Sequence, residues 1–244
     1  LMYATGLPIR RHRVVRQALY GPQPVGREMQ EAFIMKRSGF KVFGATLVIA
    51  LTWGAAMVVA AAETESAVAR GGRLYDKFFG ENKAAKPSTD HPSYVKDGKY
   101  GKENSWRCKE CHGWDYKGKD GAYAKGSHAT GIKGINGAAG KDPTAISALL
   151  RDKTHGYSEA QLSAKDAGDL ALFVSKGQGS IAKYLDASNK SKGDGAKGEI
   201  YFNTLCAGCH GADGKKIKDG PPLGSVADNG AEMMHKILNG QPGE

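Results

Sequence analysis

Ser105 to Gly121 reads SWRCKECHGWDYKGKDG, and inside it Cys108, Cys111 and His112 form a C-x-x-C-H. Two thiols on one turn, followed at once by an imidazole, are suited to covalent haem attachment. The thiols reach the two vinyl groups, and the imidazole takes one axial side of the iron. The motif recurs as CAGCHGADGKKIKDG, with Cys206, Cys209 and His210, and the four cysteines of the chain all lie in these two motifs. Each motif continues with Gly, one residue, Asp, and a Lys/Gly-rich run ending in Asp-Gly. A lone C-x-x-C is also compatible with a dithiol redox pair or half a zinc site. A zinc ribbon would need its second pair close by, and these pairs lie almost 100 residues apart. The expectation is therefore two covalently attached haem c groups, held by Cys108 and Cys111 and by Cys206 and Cys209, with His112 and His210 on the irons.

The elements that must position these residues read as helices. Gly71–Phe79 (GGRLYDKFF) forms an opening helix in the first half, and Lys197–Leu205 (KGEIYFNTL) runs straight into Cys206 in the second. Between Phe79 and Cys108 lies an insertion rich in Lys, Gly, Ser and Pro. Asp142-Pro143 is an N-cap with proline at the first helical position, and Ile146, Leu149 and Leu150 make an apolar stripe. That helix is expected to stop near Gly156. Ser163 with Asp166 forms a capping box, after which Leu170, Phe173 and Val174 make a second stripe before Gly177. Residues 177–196 are rich in Gly, Ser, Lys and Asp and read as a linker. No strand-like alternation of useful length appears.

The N-terminal part is of another kind. Residues 36–41 are basic (KRSGFK), Val42 to Ala62 carries no charge, and Ala60-Ala61-Ala62 precedes Glu63. These features predict a secretory signal over 35–62, starting at Met35 and cut after Ala62. The run is also long enough to span a bilayer, so an uncleaved membrane anchor through residues 42–62 is the alternative. Residues 1–34 are Arg-rich and patternless and read as upstream translated sequence rather than structure. The formal charge of +10 falls to +4 without the first 62 residues, with 27 Lys/Arg against 23 Asp/Glu. Four haem propionates would offset much of that, and nothing in the balance points to nucleic acid.

The order of opening helix, C-x-x-C-H, loop, middle helix, ligand loop and closing helix resembles class I c-type cytochromes, over 63–176 once and over 197–244 a second time, incompletely. The resemblance implies an all-α protein of two tandem cytochrome c domains, the second truncated at its C-terminus. In that family a Gly-Pro-x-Leu segment buttresses the proximal histidine. Gly220-Pro221-Pro222-Leu223 fits, whereas Gly131-Ile132-Lys133-Gly134 departs from it. The family's sixth ligand is usually a methionine after the middle helix. The methionines here are 2, 29, 35, 57, 233 and 234, so the first domain cannot use one. Its spare histidines are His91, His128 and His155. His155, in DKTHGYS, occupies the family's ligand loop and is the expected ligand. His128 and an open iron are the alternatives. A propionate- or solvent-bonded loop histidine is the plain reading of His155.

For the second haem, Met234, Ile237 and Leu238 repeat the stripe of Ile146, Leu149 and Leu150 and are expected in the core of a middle helix. Carrying the offset from Leu150 to His155 across lands on Gly243, so the sixth ligand is expected beyond Glu244, with His235 as a weaker candidate. The implied function is one-electron transfer between redox protein partners, donor and acceptor, in the periplasm, with no catalytic residue assigned. The alternatives are a haem enzyme acting on sulfur compounds, nitrogen oxides or peroxide, and a membrane-anchored electron relay.

Overall fold

The computed structural model describes residues 66–243, apart from 97, 180 and 219. The expected upstream segment and signal or anchor, residues 1–62, lie outside the described residues. The chain is helical from residue 66 to 81 (α1). There follow α2 (Cys108–His112), α3 (Pro143–Leu149), α4 (Ala164–Leu172), α5 (Gly195–Tyr201), α6 (Ala207–His210) and α7 (Gly230–Asn239). Among the described residues there is no strand, only two isolated antiparallel bridges, Gly118 with Lys133 and Leu185 with Ser191.

The first-half core forms where α1 crosses α4. Leu74, Tyr75, Phe78 and Phe79 of α1 are buried against Leu170, Ala171, Phe173 and Val174, with Ile146, Leu150, Trp106, Tyr116 and Tyr157 closing the sides. Each large apolar side chain so buried contributes roughly 1.5–3 kcal/mol. The helices approach closely because α1 carries Gly71, where a Cβ would lie 2.1 Å from the Asp169 carbonyl oxygen. Arg70 then locks the crossing, reaching Asp169 at 2.6 Å and Asp166 at 2.5 Å. Asp166 also completes the capping box with Ser163 that the sequence predicts.

Two local expectations are corrected. The Asp142 cap forms, but α3 ends at Leu149 rather than near Gly156. The chain then tightens into short turns, with Leu150 N–H donating to Ser147 and Arg151 N–H to Ala148. Ile146 and Leu150 are buried while Leu149 is exposed, because a helix this short presents only one turn to the core.

The larger correction concerns α7. The expected stripe of Met234, Ile237 and Leu238 is not the packed face: Ile237 and Leu238 are exposed at 69% and 51%. The buried face is Ala231, His235 and Asn239, one side chain per turn. It lies on α1 at Gly72, where a Cβ would come 2.3 Å from the Asn239 side chain. The bonds across this contact are polar. His235 Nε2–H donates to the Gly72 carbonyl (2.9 Å), Arg73 Nη1 to the Asn239 carbonyl (2.9 Å), and Lys236 pairs with Asp76 (2.8 Å). A small-polar stripe thus outcompetes the apolar one because α1 offers a glycine groove, the Gly72 carbonyl and the Asp76 carboxylate. Within the segment read as a linker, Ile181 and Leu185 are buried with Trp114, Tyr123 and Ala231.

Candidate functional site

The first motif sits on α2, a single helical turn. It ends at Gly113, whose φ of +79° lets the chain leave the helix sharply. Tyr75 of α1 donates its hydroxyl to the Gly113 carbonyl at 2.7 Å, anchoring that exit to the core. His112 Nδ1–H donates to the carbonyl of Lys133 at 2.7 Å, which fixes the tautomer and leaves Nε2 as the free lone pair. The buttress therefore exists without the proline of the second half, supplied by a backbone oxygen on the loop that bridges back to Gly118. Burial pushes the His112 pKa down, favouring the neutral imidazole that a metal needs. Burial also pushes the Cys108 thiol up to about 11 and the Cys111 thiol to about 12. Both are protonated at neutral pH and poor nucleophiles.

The structure brings His155 to the same place. The ring centres of His112 and His155 are 6.3 Å apart, with the planes inclined by 30°. Two imidazoles bound to one metal through bonds of about 2.0 Å have ring centres about 6 Å apart. His155 is presented by the turns that follow α3. Asp152 Oδ1 accepts from the backbone N–H of Thr154 and His155 at 2.9 Å each and from His155 Nδ1 at 3.2 Å. With Nδ1–H so engaged, Nε2 of His155 is also the free nitrogen.

The other spare histidines have different occupations. His128 is stacked between Tyr100 and Tyr123, at 4.1 and 4.6 Å, and its Nδ1 bonds buried Glu110 at 2.6 Å. His91, which the sequence left without a task, is buried in the insertion against the edge of Trp106 at 4.5 Å. Its Nδ1 accepts from Ser93 N–H (3.1 Å), so Nε2–H donates to the His155 carbonyl (2.8 Å). Ser93 Oγ donates to the Thr154 carbonyl at 2.6 Å. Neither contact has a side-chain signature, since both acceptors are backbone oxygens. A lone histidine in a polar insertion was the one available signal.

The second motif repeats the backbone pattern of the first. Gly211 follows His210 at φ +78°. Gly211 N–H donates to Ala207 as Gly113 N–H does to Lys109, and Lys216 N–H donates to the His210 carbonyl as Gly118 N–H does to His112. Leu223 N–H, at the end of the Gly-Pro-Pro-Leu run, donates to Gly214 and ties that run to the loop. The surroundings differ. Cys206 and Cys209 are exposed, as are Ile200, Tyr201 and Leu205 beside them. His235, the weaker candidate for this iron, has both ring nitrogens engaged in the first-half core, Nδ1 accepting from Tyr116 Oη–H at 2.8 Å. Met234 packs against Trp114 and its neighbours.

The first site suits an iron with two histidine ligands. It has two imidazoles at the right spacing, each with Nδ1 anchored, beside two thiols on one turn. Residues 195–242 match the Cytochrome c family model. No curated protein and no solved structure matches the chain. The match supports a c-type cytochrome, and with it covalently bound haem c and electron transfer in general.

Proposed function

We propose that this chain is an exported dihaem c-type cytochrome that passes single electrons between a donor protein and an acceptor protein. Its first haem is held by Cys108 and Cys111 between His112 and His155. Its second is held by Cys206 and Cys209 with His210 on the iron. The observation that carries this reading is the 6.3 Å spacing of His112 and His155 beside the first cysteine pair. The repeated hydrogen-bond pattern behind His210 extends it to the second motif.

Bound haem supplies a one-electron iron couple. The chain does the rest. Two thioethers and two anchored imidazoles hold the iron's surroundings nearly unchanged between oxidation states, which keeps reorganisation small. Trp106, Tyr116, Tyr157 and Phe78 are buried nearby in the core, which keeps water low. A histidine pair lacks the thioether that raises potential, so the first haem is the more reducing kind of centre. The uncharged run 42–62 and the basic residues before it favour export, with cleavage after Ala62 or retention as an anchor.

A haem count per chain after expression with cytochrome c maturation tests the proposal. Two haems that resist acid-acetone extraction are expected, falling to one in Cys206→Ser/Cys209→Ser. One haem in the unaltered chain would remove the dihaem reading. Recovery of the protein in the cytoplasmic fraction, with residues 1–62 attached, would remove export.

A further inference from the structure

The insertion between α1 and α2 breaks the resemblance between the two halves, since the second runs from its opening helix directly into Cys206. It is not a loose loop. At its near end it is pinned beside the first haem motif. Trp106 Nε1–H donates to the Thr89 carbonyl (2.9 Å), His91 N–H to Ser105 Oγ (2.8 Å), and Lys102 N–H to Asp90 Oδ1 (2.5 Å). At its far end it grips the turns that carry His155, through His91 to the His155 carbonyl and Ser93 to the Thr154 carbonyl. Tyr157, two residues on, donates its hydroxyl to the Trp106 carbonyl at 2.5 Å, closing the loop of contacts.

We propose that residues 89–93 are a strap that holds His155 on the first iron, with His91 and Ser93 as positioning residues. This rests on the reading of His155 as a ligand. The physical argument concerns what the turns would do unaided. The segment 150–156 follows a helix of seven residues and contains no large apolar side chain other than Leu150 to pin it. Its own hydrogen bonds are local, between Asp152 and the N–H groups of Thr154 and His155 and from Arg151 to the carbonyls of Tyr157 and Leu162, and a turn held only locally opens more readily than the core. An iron–histidine bond on such a turn would exchange with outside ligands. The strap ties two consecutive carbonyls of that turn to a buried imidazole and a hydroxyl on a segment bonded to Ser105 and Trp106, just before Cys108. The ligand and the attachment helix then move together. The strap makes the first iron a closed, electron-transfer centre that small ligands do not reach.

The roles of the two His91 nitrogens make the proposal testable. In His91→Gln the amide nitrogen falls where Nε2 lies and keeps a donor to the His155 carbonyl. In His91→Ala no donor remains. The readout is the rate at which carbon monoxide binds the reduced first haem, whose open-iron spectrum is defined by His155→Ala. In His91→Ala that rate should rise about threefold to tenfold, the effect of losing one net hydrogen bond. Ser93→Ala should move it the same way, and His91→Gln should return it close to the unaltered protein. Ser93→Ala removes a single surface-side hydroxyl, so it keeps the test open if His91→Ala fails to fold. Carbon monoxide rates unchanged in both alanine variants, with His155→Ala open, would overturn the strap alone. His155→Ala remaining closed to carbon monoxide would overturn the ligand reading and the strap with it.

Discussion

The two imidazoles proposed to share an iron differ by what stands behind them. His112 leans on a neutral carbonyl, that of Lys133, while His155 leans on the Asp152 carboxylate. A carboxylate partner gives an imidazole more anionic character and favours the ferric state. Asp152→Asn should therefore raise the reduction potential of the first haem, and Asp152→Glu should change it less. Asp152 is partly exposed, so the shift should shrink as salt is added. Spectroelectrochemical titration at two ionic strengths checks both statements. An unchanged potential in Asp152→Asn would mean that His155 Nδ1 is not engaged by the carboxylate when haem is bound. At this scale the first C-x-x-C-H could be picked out in advance because its spacing is local in the sequence. The Lys133 buttress and the His91 contact could not, because a backbone oxygen leaves no mark in the choice of residue.

At the scale of elements, adjacent glycines on α1 serve two neighbours. Gly71 admits α4 and Gly72 admits α7. Gly71→Ala should cost about 1–3 kcal/mol, because backbone rather than a flexible side chain stands in the way. Gly168→Ala, on α4 with no heavy atom within 4 Å of the added Cβ, should be neutral or stabilising by roughly 0.5–1 kcal/mol. Urea unfolding of the two variants in parallel separates a packing glycine from a merely permissive one. A loss in Gly168→Ala equal to that in Gly71→Ala would contradict the crossing described. The caps at Asp142 and Ser163 could be read in advance, since a cap needs only its local residues. The face of α7 could not. Apolar periodicity pointed to Met234, Ile237 and Leu238, but which face packs is decided by the partner, and the partner is 160 residues away at Gly72 and Asp76. α3 is a different case, since the contacts that follow it are local, between Asp152 and the N–H groups of Thr154 and His155.

For the whole molecule, α7 makes the two halves mechanically continuous. His235 is its keystone, wholly buried, with Tyr116 Oη–H on one nitrogen and the Gly72 carbonyl on the other. Burial pushes its pKa down to about 4, against the attraction of Asp76 and with the repulsion of Lys236. A histidine lowered in this way stays neutral in the folded chain and takes a proton on unfolding. Its contribution is complete above about pH 6.5 and is lost as pH falls toward 4. Between pH 7 and pH 5 the loss is about 2 kcal/mol. His235→Gln, which does not titrate, should be less stable at pH 7 but show a flatter dependence over that window. A slope unchanged in His235→Gln would place the acid sensitivity elsewhere.

The central claim is that His112 and His155 together close the first iron, and its most direct test is the amount of carbon monoxide bound by the reduced chain. His155→Ala should take up one more carbon monoxide per chain than the unaltered protein, with a high-spin signal appearing in the ferric form at the first haem. Equal uptake by the two proteins, with the first haem low-spin in both, would contradict the account.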